Sequence, residues 1–154
     1  MGLFSRKPPP LPDALPSGPW AMLHGKQGDS VMIIRVNTGA QAIAGHPRFD
    51  HRAGFATRCA TTTANPTGLP SVEENAELQE VEERLDEALR GDREALMVLA
   101  ITGGGVKEWV FYTADPESTK RRALEFVKTV TSHKLQFYIK PDPGWEAYRK
   151  LSQP

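Results

Sequence analysis

The sequence predicts an α+β protein: a ferredoxin-like βαββαβ two-layer sandwich over residues 53 to 140, with an extra N-terminal strand before it and a short C-terminal helix after it. Three observations predict this. A long apolar stripe at helical spacing lies between a capping residue and a glycine. Two strand-like runs are joined by three glycines. An Asp-Pro helix start is followed by a second apolar stripe and a returning strand.

Residues 1 to 19 carry Pro8, Pro9, Pro10, Pro12, Pro16 and Pro19, a density that reads as a disordered leader because proline lacks the amide donor of helices and sheets. Pro9-Pro10-Leu11-Pro12 is a minimal PxxP within it. A single domain is expected from Trp20 to residue 154. Residues 31–36 (Val-Met-Ile-Ile-Arg-Val) read as the leading strand, between Gly28-Asp29 and Asn37-Thr38-Gly39, and 37–52 as mostly loop. The sequence leaves open whether that strand joins the edge of the main sheet or forms a separate hairpin.

Residues 55–62 read as a strand with Phe55, Thr57, Cys59 and Thr61 on one face, and Asn65 to Pro70 break the chain after it. Ser71 and Glu74 have capping-box spacing. Val72, Leu78, Val81, Leu85, Ala88 and Leu89 form one stripe, and Gly91 stops it, so the helix spans 72–90. The unbroken apolar run 95–102 implies a central strand covered on both faces. Gly103-Gly104-Gly105 then turns the chain into the aromatic strand 106–113. Asp115-Pro116 opens a helix over 116–132, with Ala123, Leu124, Val127 and Val130 inward. Residues 135–140 return as a strand, and Asp142-Pro143 opens the closing helix, with Trp145 and Tyr148 on one face. Right-handed crossovers put both long helices on one face of the sheet.

Nineteen Lys and Arg balance nineteen Asp and Glu, which argues against a dedicated nucleic-acid binder. A lone cysteine, no signal-type apolar run and no membrane-length stretch point to a cytoplasmic protein. The first helix carries eight acids against Arg84 and Arg90, and the second carries Lys120, Arg121, Arg122 and Lys128.

From Trp20 onward the sequence resembles the bacterial domain-of-unknown-function 695 family. Gly68-Leu69-Pro70, the strand Lys107-Glu108-Trp109-Val110-Phe111-Tyr112 and the closing Asp142-Pro143-Gly144-Trp145-Glu146-Ala147-Tyr148 carry the likeness. The closing stretch resembles the family's Asp-Pro-x-Trp-x-x-Tyr signature. The family implies no established activity. The sequence is more distantly similar to the ribonuclease E inhibitor B family, which implies a small protein that binds an enzyme.

No catalytic constellation stands out. His46 and His51 lie in a loop, away from His24 and His133, and no Cys or His pairs have zinc spacing, so neither a metal nor a cofactor is expected. Cys59 reads as a buried thiol, no Gly-x-Ser-x-Gly elbow is present, and the glycine run leads into a strand without Gly-Lys-Ser/Thr. Glu108, mid-strand among aromatics, needs a partner such as Arg58 or Arg149. The candidate binding residues are Glu108, Trp109, Phe111, Tyr112, Asp142, Pro143, Trp145 and Tyr148. The leading expectation is a non-catalytic protein-binding or regulatory module with an unidentified protein partner, a homodimer being compatible with it. The alternative is a small-ligand-binding protein or an enzyme, with a pocket between strand 106–113 and the C-terminal segment. RNA binding on the aromatic strand ranks behind both.

Overall fold

The computed structural model describes residues 10–61, 67–91 and 93–152. Its strands are β1 (Trp20–Gln27), β2 (Ser30–Asn37), β3 (His51–Arg58), β4 (Ala95–Gly103), β5 (Val106–Thr113) and β6 (Gln136–Pro141). Its α-helices are α1 (Val72–Arg90), α2 (Pro116–Thr129) and α3 (Glu146–Ser152), and a 3₁₀ helix spans Thr38–Ile43. The six strands form one antiparallel sheet in the order β1-β2-β4-β5-β3-β6.

The N-terminal region differs from the expectation of one extra strand. Trp20–Gln27 is a strand too, pairing with β2 from Trp20↔Asn37 to Gln27↔Ser30. The turn between them is Gly28-Asp29, and Gly28 has φ +64, the left-handed conformation a two-residue hairpin turn asks for. The hairpin extends the main sheet through β2 on β4, Met32↔Gly103 to Val36↔Leu99. A glycine turn that reads as the start of one strand is thus the middle of two.

The strand expected at 55–62 sits earlier, at His51–Arg58, where it is bonded on both sides by β5 and β6. Its end has a local cause. The amides of Ala60 and Thr61 donate to the Glu74 carboxylate at 2.7 and 2.9 Å rather than to a neighbouring strand. Residue 62 lies outside the described residues.

Both long helices form around their expected stripes, but Val72 and Leu124 are exposed, Phe126 takes the buried place on α2, and α2 ends at Thr129 instead of 132. Ser71 Oγ accepts from the Glu74 amide at 3.1 Å, but the reciprocal half of the capping box is absent, because the Glu74 side chain is spent on the β3 end. Asp115 caps α2 through the Ser118 amide at 3.0 Å. The glycine turn between β4 and β5 places Gly104 and Gly105 at φ +60 and +78.

Two cores lie on opposite faces of the sheet. The helix face packs Leu78, Val81, Leu85, Leu89, Ala123 and Phe126 against Phe55, Met97, Trp109 and Phe111. On the other face Ile34, Val36, Leu96, Leu99, Val110 and Tyr112 pack against Ala40, Ile43, Phe49, Trp145 and Tyr148. Strand β4 is buried on both sides, and its pairing with β5 skips a residue between Met97 and Leu99. Part of the proline-rich segment joins the second core: Leu11 and Leu15 pack against it, and Asn37 Nδ2 donates to the Pro16 carbonyl at 2.8 Å. The opposed charges of α1 and α2 meet without an ion pair between them among the described residues. Arg84 instead donates to Thr129 and lies over the Phe126 ring. No described helix is long and apolar enough to cross a membrane.

Candidate functional site

Alternation along β5 separates the aromatic candidates. Trp109 and Phe111 face the helices, whereas Glu108 and Tyr112 face the other way, and both aromatics and the tyrosine are fully buried. The closing segment folds over Tyr112. Trp145 stacks on it with centroids 4.1 Å apart and planes 8° off parallel, and Tyr148 meets Trp145 edge-on at 5.5 Å. The polar atoms of this cluster are used up within it. Trp145 Nε1 donates to the Phe49 carbonyl at 2.8 Å, and Tyr148 OH to the Asn37 carbonyl at 2.7 Å.

Asp142 ties these parts together. Its carboxylate accepts from the Tyr112 hydroxyl at 2.7 Å, the Glu146 amide at 2.9 Å, the Ala147 amide at 3.3 Å and Arg52 Nη1 at 3.3 Å. Burial pushes its pKa up, but the Glu146 amide, the tyrosine and the remaining donors outweigh that and hold it below the usual carboxylate range. Burial, then the bond to Asp142, push the Tyr112 phenol well above its ordinary value. The Asp-Pro-x-Trp-x-x-Tyr signature is therefore a clasp that seals the second face. Pro143 stays exposed on its outer turn. Side chains fill the space between β5 and the C-terminal segment where the sequence suggested a pocket.

Glu108 is half-buried at the edge of this region. Neither Arg58 nor Arg149 is its partner. The Tyr138 hydroxyl donates to it at 3.5 Å, and burial raises its pKa against that bond and the nearby charge of Arg52.

The open polar site lies on the helix face, beside α1. The two helices cover β3 to β6 but stop short of the β1–β2 hairpin, and a cleft of about 410 Å³ remains between α1 and β2. Lys107 and Thr102 line it together with Arg35 and Glu82. Lys107 shares the inward stripe of Trp109 and Phe111 and is only 6% exposed. Its ammonium donates to Thr102 Oγ1 at 2.9 Å and stands 5.9 Å from the Trp109 ring centroid. Burial, and after it the charge of Arg35, lower its pKa. Glu82 Oε1 accepts from both Arg35 Nη2 and, at 2.8 Å, Trp109 Nε1. A second hollow of about 500 Å³ adjoins it and shares Arg35 and Glu82. It runs toward Glu83, Asp86 and Arg90, with Trp20 on its opposite lip.

Sequence reasoning singled out Glu108 and passed over its neighbour. The available signal was period two: a lysine in register with Trp109 and Phe111 belongs to the buried stripe. That Arg35 and Glu82 would meet it was not readable, since they come from elements 47 residues apart. Cys59 is buried, and its thiol is pushed up by burial and by Glu74. Among the described residues no group of three His, Cys, Asp or Glu could hold a metal ion.

No curated protein and no solved structure matches the chain, and the likeness to the ribonuclease E inhibitor B family is not among the findings. The profile of a family of unknown function, DUF695, matches residues 19–152, a span holding every strand and helix described above, and the chain belongs to that family.

Proposed function

We propose that this protein is a non-catalytic binding module that holds a basic segment of a partner protein along α1. The observation that carries this is the polarised helix beside an open groove. Glu82, Glu83 and Asp86 of α1 line the hollow beside it, Glu73, Glu77 and Glu80 are exposed further round the helix, and Trp20 and Met22 stand exposed on the facing hairpin. Like-signed carboxylates on one helix attract a cationic segment over a distance of about a Debye length, roughly 8 to 10 Å. The apolar lip then gives its aliphatic side chains somewhere to rest.

The fold supports this reading. The strand order β4-β5-β3-β6, with α1 and α2 between its strands, supports a ferredoxin-like βαββαβ reading of this part, to which the β1–β2 hairpin is added. The hairpin lengthens the sheet past the helices and so forms one wall of the groove. The buried state of Trp109, Phe111 and Tyr112 leaves none of the β5 rings to stack on a base, which disfavours the RNA reading. A small-ligand reading is favoured by a separate observation, the cleft over Lys107.

Trp20 offers a test, because it is 36% exposed whereas Trp109 and Trp145 are buried. Peptides alternating Lys and Leu should shift its emission at low salt. Peptides alternating Glu and Leu should not. The charge reversal Glu83→Lys combined with Asp86→Lys should abolish the shift. Equal binding of both peptide sets, or of basic peptides to the reversed variant, would remove the reading.

A further inference from the structure

We propose that the cleft over Lys107 binds a small monocarboxylate with an apolar tail, its carboxylate seated against Lys107 Nζ and Thr102 Oγ1. This goes beyond the binding of a basic segment and does not depend on it.

The argument begins with unmet hydrogen bonds. An ammonium carries three donors. Among the described residues Lys107 has one hydrogen-bond partner, the Thr102 hydroxyl, and its side chain is more than nine-tenths buried. Two donors of a buried cation are left over, at a position that lines an open cleft. A buried charge in that condition calls for an acceptor. Thr102 accepts from Lys107, so its own proton is available to the same acceptor.

Charge counting selects the ligand. Two cations, Lys107 and Arg35, border the cleft against one acidic side chain, Glu82. The Glu82 oxygen that faces them is already shared by Arg35 and Trp109. One negative charge restores the balance. A dianion such as phosphate would put its second charge beside Glu82 with no cation to answer it. Met22, Ile33, Leu69, Pro70 and Val72 form an apolar part of the wall, and Ser71, Asn75 and Gln79 on the α1 side are polar but uncharged. A volume of about 410 Å³ suits a small molecule rather than a folded partner.

The probes are hexanoate and its neutral isostere hexanamide, titrated into the full chain while backbone amide resonances are recorded. Hexanoate should move Ile33, Thr102 and Lys107 saturably and bind about tenfold or more tightly than hexanamide. Lys107→Met, which keeps the length and removes the charge, should weaken hexanoate by a similar factor and leave hexanamide unaltered. Thr102→Val is the second variant and should weaken hexanoate more modestly. Equal affinity for the two probes, undiminished hexanoate binding by Lys107→Met, tighter binding of inorganic phosphate, or shifts confined to residues away from the cleft would each overturn the proposal. The Trp20 response to Lys-Leu peptides should survive Lys107→Met, so the two readings fail separately.

Discussion

The two faces of the sheet differ in how far they satisfy buried polar groups, although Arg52 Nε on the second face also lacks a partner among the described residues. On the second face, Asp142 takes four donors, and the hydroxyl or indole protons of Tyr112, Trp145 and Tyr148 each reach an acceptor. On the helix face, beside α1, Lys107 keeps a single hydroxyl partner next to an open cleft. A satisfied polar cluster fixes a structure. An unsatisfied one is a place where something else can bind. The closing stretch that marks the family most clearly thus belongs to the scaffold, whereas Lys107, from the aromatic strand that also carries the likeness, has donors to spare.

The largest expected effect tests the clasp. Trp145→Ala empties a fully buried site stacked on Tyr112 and should destabilise by about 3–5 kcal/mol, read as a fall in the urea midpoint. A loss below about 1 kcal/mol would mean that the second face does not depend on α3. Asp142→Ala should cost about 3 kcal/mol, because it strands Arg52 and the Tyr112 hydroxyl in the interior.

Glu74 sharpens the contrast from the other end of the groove, where α1 begins. Burial works against its charged form, but the Thr61 hydroxyl, the Ala60 amide, His133 and the Thr61 amide together lower its pKa to about 2. An unfolded glutamate titrates near 4.3. A depressed folded pKa adds stability that is present above the unfolded value and disappears as pH falls toward the folded one. Wild type should therefore exceed Glu74→Gln by up to about 3 kcal/mol at neutral pH, with the gap closing between about pH 4 and 2. A gap constant across that window in thermal melts would contradict the assignment.

The smallest effect has the opposite sign. Lys107→Met removes a buried, underpartnered charge and should leave stability unchanged or raise it by about 1 kcal/mol without ligand. A lysine whose folded pKa is depressed destabilises while the solution is acidic enough to keep the unfolded chain charged. Wild type should accordingly gain on Lys107→Met as pH rises from the lowered folded value toward about 10.4. A loss of several kcal/mol on this substitution would place Lys107 with the scaffold residues and dissolve the contrast.

Much of the architecture was legible locally. The bounds of α1 and β5 agree with their capping and turn residues, since Ser71, Gly91 and the glycine turn act over three or four residues. The start of α2 follows for the same reason from Asp115-Pro116. The β1 strand was missed because Trp20–Gln27 mixes Lys, His and Gln, and an edge strand is defined by its partner more than by its own composition. The β3 boundaries moved because two neighbouring strands and a glutamate from α1 decide where its ladder begins and ends.

The sequence by itself determined the order of the strands and α-helices from β2 onward, the two-faced burial of β4 and the aromatic content of the closing segment. Those depend on short-range periodicity and on capping chemistry, which are written along the chain. Tertiary structure alone decided that the closing segment seals the second face instead of opening it, and that Lys107, Thr102, Arg35 and Glu82 meet beside α1. A hydrogen bond across 47 residues or a charge left without its counterpart exists only once distant elements are brought together. The same folding that gave Tyr112, Trp145, Tyr148 and Asp142 their partners under α3 left two donors over at Lys107, because the helices end before the sheet does.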